Sequence, residues 1–262
     1  MVATEVELEK RVEVADLLAD KAREIIKPYF KCPEKLSIEH KEAASPIVTK
    51  ADKESEYAMR EIIEAHFPED GIVGEEYGLK EGGSGYQWIL DPVDGTIAFS
   101  IGKPIFGSLI GLVKDGRFLM GIIEQPVLKE RYLGFSEKAF LNGFVIQSSA
   151  NVAIERAALT LTSPINSEDS GRVRKLIESV HVTSYGGDCY NYALLAAGHV
   201  DIVLEKGLAY YDYAALVPVV KGAGGLITNW QGEEIEAGKP SDVLACSNET
   251  IHRAVIDILN DR

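Results

Sequence analysis

The sequence predicts a mixed protein of the α+β / α/β classes, with helices on a largely antiparallel sheet first and alternating strands and helices afterwards. Three observations carry this. Apolar residues recur at helical spacing near the N-terminus, two apolar runs meet across an Asp-Gly turn, and strand-like and helix-like stretches alternate beyond residue 150.

Leu8, Val12, Ala15, Leu18, Ala22 and Ile25 recur at steps of three and four, which predicts an amphipathic helix ending near Pro28. A second helix is expected over 52–66, with Tyr57, Met59, Ile62 and Ile63 as apolar positions and Phe67-Pro68 as its stop. Apolar runs at 71–74, 87–91, 105–113 and 118–123 read as strands, the last two joined as a hairpin through Asp115-Gly116. In the second half, strands are expected at 156–162, 181–184, 200–205, 226–228 and 243–245. Helices are expected at 170–180, 189–197, 212–221 and 250–259, with Gly222-Ala223-Gly224-Gly225 as a helix terminus. The segment from Trp230 to Glu233 reads as a surface turn. With no linker-like stretch between the halves, two tightly packed lobes are expected, residues 1–148 and 149–262.

The chain has 262 residues, 27 basic against 41 acidic, for a formal charge of -14. Such a surface repels phosphate backbones and anionic membranes, which argues against nucleic acid and membrane as partners. An anionic small substrate meets the same repulsion unless a cation stands between. Cys32, Cys189 and Cys246 are odd in number and widely separated, so they read as buried thiols of a reducing compartment. The acidic N-terminus lacks the features of a signal peptide, and no apolar run approaches the ~20 residues of a membrane span. A cytoplasmic protein is expected.

The richest chemistry lies in Trp88-Ile89-Leu90-Asp91-Pro92-Val93-Asp94-Gly95-Thr96, an apolar strand running into an acidic turn. Two carboxylates three residues apart, with Pro92 fixing the backbone between them, can face one point. Gly95 permits a sharp turn, and the Gly95 and Thr96 amides can face an anion. Oxygen ligands beside free N–H donors suit Mg²⁺ with a phosphate. Gly74-Glu75-Glu76 adds carboxylates, and Asp52 and Asp212 are further candidates. Asp-Pro and Asp-Gly are also ordinary turn residues, and an isolated pair would carry little weight. The five histidines show no metal-ligand spacing.

Glu75 and Glu76 after Gly74, the run Asp91 to Thr96, and Tyr211-Asp212-Tyr213-Ala214-Ala215 together resemble the inositol monophosphatase family of Mg²⁺-dependent, lithium-sensitive phosphatases. The resemblance implies a layered αβαβα sandwich, usually a homodimer. It places Glu75, Asp91, the Val93 carbonyl, Asp94, Thr96 and Asp212 at metal-site positions, and Asp52 where a further metal is held. Most of these ligands fall in the N-terminal lobe, with Asp212 in the C-terminal one. Glu205 falls where the family contacts substrate hydroxyls. Two or three Mg²⁺ would neutralise the carboxylates, lower the pKa of the attacking water and stabilise the departing alkoxide. Glu75, and Thr96 with a carboxylate partner such as Asp52, would orient that water. The implied substrate is a small phosphorylated alcohol.

The stretches 97–107 and 185–193 are more similar to the histidinol-phosphatase branch than to the inositol branch. Asp188 is either a partner for a substrate ammonium or imidazolium, or a helix N-cap. Tyr190 and Tyr192 are substrate neighbours or core aromatics. Three departures touch specificity and packing: Tyr211 replaces a Trp, Ile97 replaces a basic or polar residue, and the glycine-rich segment before Asn142-Gly143 is short. Lys41, before Ser45-Pro46, either assists metal or phosphate or is a solvated lysine. Inositol-1-monophosphatase, bisphosphate nucleotidase, fructose bisphosphatase and a regulatory protein with vestigial activity are the alternatives.

Overall fold

A computed structural model of the chain describes residues 2–36, 38–40, 47–165 and 168–260. Helix α1 (Val2–Ile26) leads through the hairpin β1 (Ile38–His40) and β2 (Ile47–Thr49) into α2 (Lys50–His66). There follow β3 (Gly71–Gly74), β4 (Gly78–Lys80), β5 (Tyr86–Asp94) and the short helix α3 (Thr96–Ser100). Strands β6 (Gly107–Lys114), β7 (Arg117–Gln125), β8 (Glu130–Phe135), β9 (Ala139–Leu141) and β10 (Phe144–Ile146) run on as a meander. They form an eight-stranded sheet in the order β10-β9-β8-β7-β6-β5-β3-β4. Only the β3–β5 pair is parallel.

The second half comprises β11 (Ala158–Leu161), α4 (Ser170–Ser179), β12 (Val182–Tyr185), α5 (Cys189–Ala196), β13 (Ile202–Leu208), α6 (Tyr210–Tyr213) and α7 (Leu216–Gly222). It ends with β14 (Leu226–Thr228), β15 (Ser241–Cys246) and α8 (Glu249–Leu259). Its sheet has the order β12-β11-β13-β15-β14, with β11 parallel to both neighbours and β15 antiparallel to both of its own.

The period-two alternation of side chains explains how five layers stack. On β6, Ile110 and Leu112 join the core under α1 and α2, while Leu109 points to the opposite core with α5 and α7. On β13, Val203 faces that same middle core, and Ile202 and Leu204 face the outer core with α4 and α8. The result is the expected αβαβα sandwich: α1 and α2, the large sheet, α5 to α7, the small sheet, then α4 and α8.

Several local expectations change. β5 does not end at Asp91 but runs to Asp94, because its pairing with β6 continues past a register shift between Asp91 and Asp94. The expected helix over 212–221 is two helices, and Pro218, which lacks an N–H, sits in the first turn of the second, where none is needed. Strands β1, β2, β4, β8, β9 and β10 were not anticipated. Trp230 is not a surface residue: it is fully buried, its Nε1 donating to the carbonyls of Glu205 at 3.1 Å and Val243 at 3.2 Å. A buried indole needs such partners. Cys189 and Cys246 are buried free thiols as expected, whereas Cys32 is only half-buried. Lys41, Ser45 and Pro46 lie outside the described residues.

Candidate active site

Four elements bring carboxylates to one point. In a regular strand, residues three apart face opposite sides of the sheet. The bulge in β5, where Asp91 pairs with Leu109 but Asp94 with Gly107, inserts one residue and turns Asp91 and Asp94 to the same side. Pro92 cannot donate to the ladder, and its carbonyl accepts from Ser108 Oγ at 2.6 Å, which holds the bulge. Gly95, at φ +87, then turns the chain into α3.

Asp52 and Asp212 reach the site by another device. Each is the third residue of its helix, and each has one carboxylate oxygen tied to the amide just before that helix: Thr49 N to Asp52 Oδ2 at 2.9 Å, Ala209 N to Asp212 Oδ2 at 2.7 Å. Both carboxylates are thereby fixed in direction. Glu75 follows β3, whose parallel pairing with β5 sets Gly74 opposite Leu90, and its amide donates to the Leu90 carbonyl at 3.2 Å. Carboxylate oxygens of Asp91, Asp94 and Asp212 lie within 4.8 Å of one another.

Asp91 is buried and its Oδ1 has no hydrogen-bond partner, nor has Oδ1 of Asp52. Burial, then the charge of Glu75, drives the Asp91 pKa well above the usual carboxylate range; burial, then Asp188, does the same to Asp94. Burial pushes Asp52 and Asp212 up to about 7. Buried, mutually repelling oxygen donors with orphaned lone pairs fit a hard divalent cation. Glu75 lies near enough for its charge to raise both Asp91 and Asp212. The Thr96 hydroxyl donates to the Val93 carbonyl at 2.9 Å, so what it offers a water is an acceptor lone pair.

Beside this cluster a small cavity of about 70 Å³ is lined by Asp94, Thr162, Asp188, Tyr192, Glu205 and Asp212 among others. Asp188 occupies the N-cap position of α5 at φ 45, yet its side chain makes no capping bond. Its carboxylate instead lies against Gly95, where a Cβ would be 3.0 Å from Oδ2. A non-glycine residue held there is strained. Glu205 Oε1 accepts from Thr162 N at 2.9 Å and Thr162 Oγ1 at 2.6 Å. Burial raises Asp188 to about 6 and Glu205 to about 7.

Thr162 and Glu56 were not anticipated. Glu56 is a fully buried acid in α2 that accepts from Glu76 N at 2.7 Å and Tyr77 N at 3.2 Å, anchoring the turn that bears Glu75. Its only sequence signal is its place four residues after Asp52. Ile97 is 55% exposed and takes no part in the core, whereas Phe106 from the same stretch is buried against Phe99.

The model of the "Inositol monophosphatase family" matches residues 7–262. The chain belongs to the inositol monophosphatase family. It is accordingly a phosphatase, a phosphoric monoester hydrolase. Among its relatives in the family, the "Bifunctional phosphatase IMPL2, chloroplastic" of Arabidopsis thaliana is 41% identical over 98% of this chain and 77% of that protein. The histidinol-phosphatase of Chlorobaculum parvum is 33% identical over 85% of this chain and 87% of its own length. The inositol-1-monophosphatase of Bacillus subtilis is also 33% identical, over 86% and 87%. A solved inositol monophosphatase from Zymomonas mobilis superposes with a TM-score of 0.86 at 42% identity, covering 96% of this chain and 98% of that one. Among the described residues no helix is long and apolar enough to cross a membrane.

Proposed function

We propose that this phosphatase is Mg²⁺-dependent and prefers histidinol phosphate. The observation that carries the substrate choice is the pair of carboxylates, Asp188 and Glu205, lining the cavity beside the Asp91–Asp94–Asp212 cluster. Histidinol phosphate bears an ammonium and an imidazole on its alcohol, whereas inositol phosphate bears hydroxyls. Each charge-assisted hydrogen bond kept in the transition state adds ~1.5–3 kcal/mol, about ten- to a hundredfold in kcat/KM. A relative named histidinol-phosphatase supports this reading; the Bacillus subtilis relative keeps inositol-1-phosphate as the alternative.

Glu75, Asp91, the Val93 carbonyl, Asp94 and Asp212 would hold two or three Mg²⁺, with Asp52 toward a further one. When bound, the cations supply Lewis acidity and offset the charge of -14 that would repel a phosphate. The Gly95 and Thr96 amides face the phosphate. Glu75 and the Thr96 oxygen accept from the attacking water and orient it, and Asp188 and Glu205 hold the alcohol. Asp91 and Asp94 are engaged as ligands, so water attacks phosphorus directly. We also read the chain as two lobes, 1–148 with most ligands and 149–262 with Asp212 and the substrate contacts, working as a cytoplasmic homodimer.

Phosphate release measured against Mg²⁺ on histidinol phosphate, inositol phosphates, fructose bisphosphate and phosphoadenosine nucleotides tests this. Asp94→Asn should lower turnover by orders of magnitude with the fold intact, and Li⁺ should inhibit. Near-normal turnover in that variant removes the metal assignment. Asp188→Asn should narrow the preference for histidinol phosphate over inositol phosphate. An unchanged ratio removes the substrate assignment and leaves the metal chemistry standing.

A further inference from the structure

Tyr192, on α5, is 1% exposed and packs in the middle core with Leu109, Val203 and Leu216. Its ring is therefore a core aromatic, but its hydroxyl is not at rest there. The oxygen is buried with no hydrogen-bond partner, and the residue lines the cavity shared with Asp188 and Glu205. A buried hydroxyl without a partner costs roughly 1–3 kcal/mol, and phenylalanine would give the same packing without that cost. The surrounding carboxylates of Glu205, Asp94 and Asp212, with burial as the larger cause, keep the phenol protonated and neutral. None of them is within hydrogen-bond reach of it. The cavity, about 70 Å³, has room for one polar substrate group or a water or two, and for little else.

We propose that Tyr192 is a specificity-determining residue whose hydroxyl completes, with Asp188 and Glu205, a three-oxygen pocket for one N–H or O–H donor group on the alcohol half of the substrate. The geometry favours a protonated amine. Glu205 has Oε1 tied by Thr162, leaving Oε2 as an acceptor, and Asp188 makes no cap bond, its carboxylate taking a backbone hydrogen bond from Gly187 and keeping acceptor capacity beyond it. Three oxygens then meet the three N–H bonds of an ammonium, two of them anionic. The inference rests on reading this cavity as the place of the substrate's alcohol, and it adds a neutral contact that acts by hydrogen bonding alone.

The test is Tyr192→Phe, assayed on histidinol phosphate, inositol phosphate and p-nitrophenyl phosphate, whose alcohol half carries no such donor. The expected result is a fall of about tenfold or more in kcat/KM for the preferred polar ester and less than twofold for p-nitrophenyl phosphate. The melting temperature of the substrate-free variant should stay level or rise, since the deleted hydroxyl has no partner. An equal fall on all esters, no fall on any, or a lowered melting temperature overturns the proposal, because each marks a structural or idle hydroxyl. A wild type that prefers inositol phosphate refutes histidinol phosphate as substrate. Tyr192 then stands if the variant loses inositol phosphate selectively, and falls if it does not.

Discussion

Glu56 collects three donors on a carboxylate with no exposure to water: Arg60 Nε at 2.8 Å and the amides of Glu76 and Tyr77. It also accounts for the glycine of the Gly74-Glu75-Glu76 motif, since a Cβ at Gly74 would lie 1.9 Å from Glu56 Oε1. The turn bearing Glu75 is therefore held from behind by an acid that has no place among the ligands themselves. Glu56→Gln keeps one acceptor oxygen but turns an NH₂ toward N–H donors, at a cost of about 1–3 kcal/mol in stability. Titration calorimetry should show Mg²⁺ affinity about tenfold weaker; unchanged affinity would limit Glu56 to a structural part. At this scale legibility was uneven. Asp91 and Asp94 stand out in the sequence because a Pro between them and a Gly after them announce a special backbone. Glu56 does not, because helical periodicity marks the apolar face, and a buried acid on that face looks like a solvated one until its donors arrive from residues 76 and 77.

Helix α7 and its N-terminal flank approach β7 and β8 most closely at two glycines, where no side chain comes between. A Cβ at Gly121 would be 2.0 Å from the Ala215 carbonyl oxygen, and one at Gly134 would be 2.2 Å from Val219 Cα. Both neighbours are backbone and cannot yield. Gly121→Ala or Gly134→Ala should thus lower stability by roughly 3 kcal/mol or more, by pushing α7, and with it Asp212 just upstream, off the sheet. Gly171 offers the contrast. It lies inside α4 with nothing near its Cβ position, and Gly171→Ala should stabilise by about 0.5–1 kcal/mol through helix propensity alone. Urea melts of the three variants would check the opposite signs; a tolerated Gly134→Ala would mean the helix can slide. The long elements were legible because their apolar periods are long. β8 escaped because Glu130 and Arg131 open it and Gly134 interrupts it, so it reads as a loop. Its glycine is there for α7, a contact made 85 residues away along the chain at Val219.

Across the whole molecule the charge of -14 was legible at once, and the motifs already gathered Asp52, Glu75, Asp91, Asp94 and Asp212 toward one point, but not how far burial shifts each group or that Asp188 and Glu205 share in it. Composition counts carboxylates; only the fold shows that Asp52, Glu205 and Asp212 are raised to about 7 and Asp188 to about 6, with burial the leading cause in each. A carboxylate whose folded pKa exceeds its unfolded value, near 4, destabilises the fold when it is ionised. That cost is absent below the unfolded value, grows as pH rises, and is complete above the folded value. In the cation-free protein the four groups should therefore lower the melting temperature progressively from about pH 4 to about pH 7. His252, lowered by burial, works in the other direction, losing stability as pH falls below its usual value of 6.5. Its effect is independent of Mg²⁺, so the informative quantity is the difference between melting temperatures in millimolar Mg²⁺ and in EDTA. Protons and cations compete for the same oxygens, so that difference should be small near pH 5 and grow to its full size by about pH 8. In Asp94→Asn it should shrink at every pH. A difference that is flat across the range, or largest in acid, would mean that the cluster does not take up Mg²⁺ in exchange for protons, and the proposed metal centre would have to be abandoned.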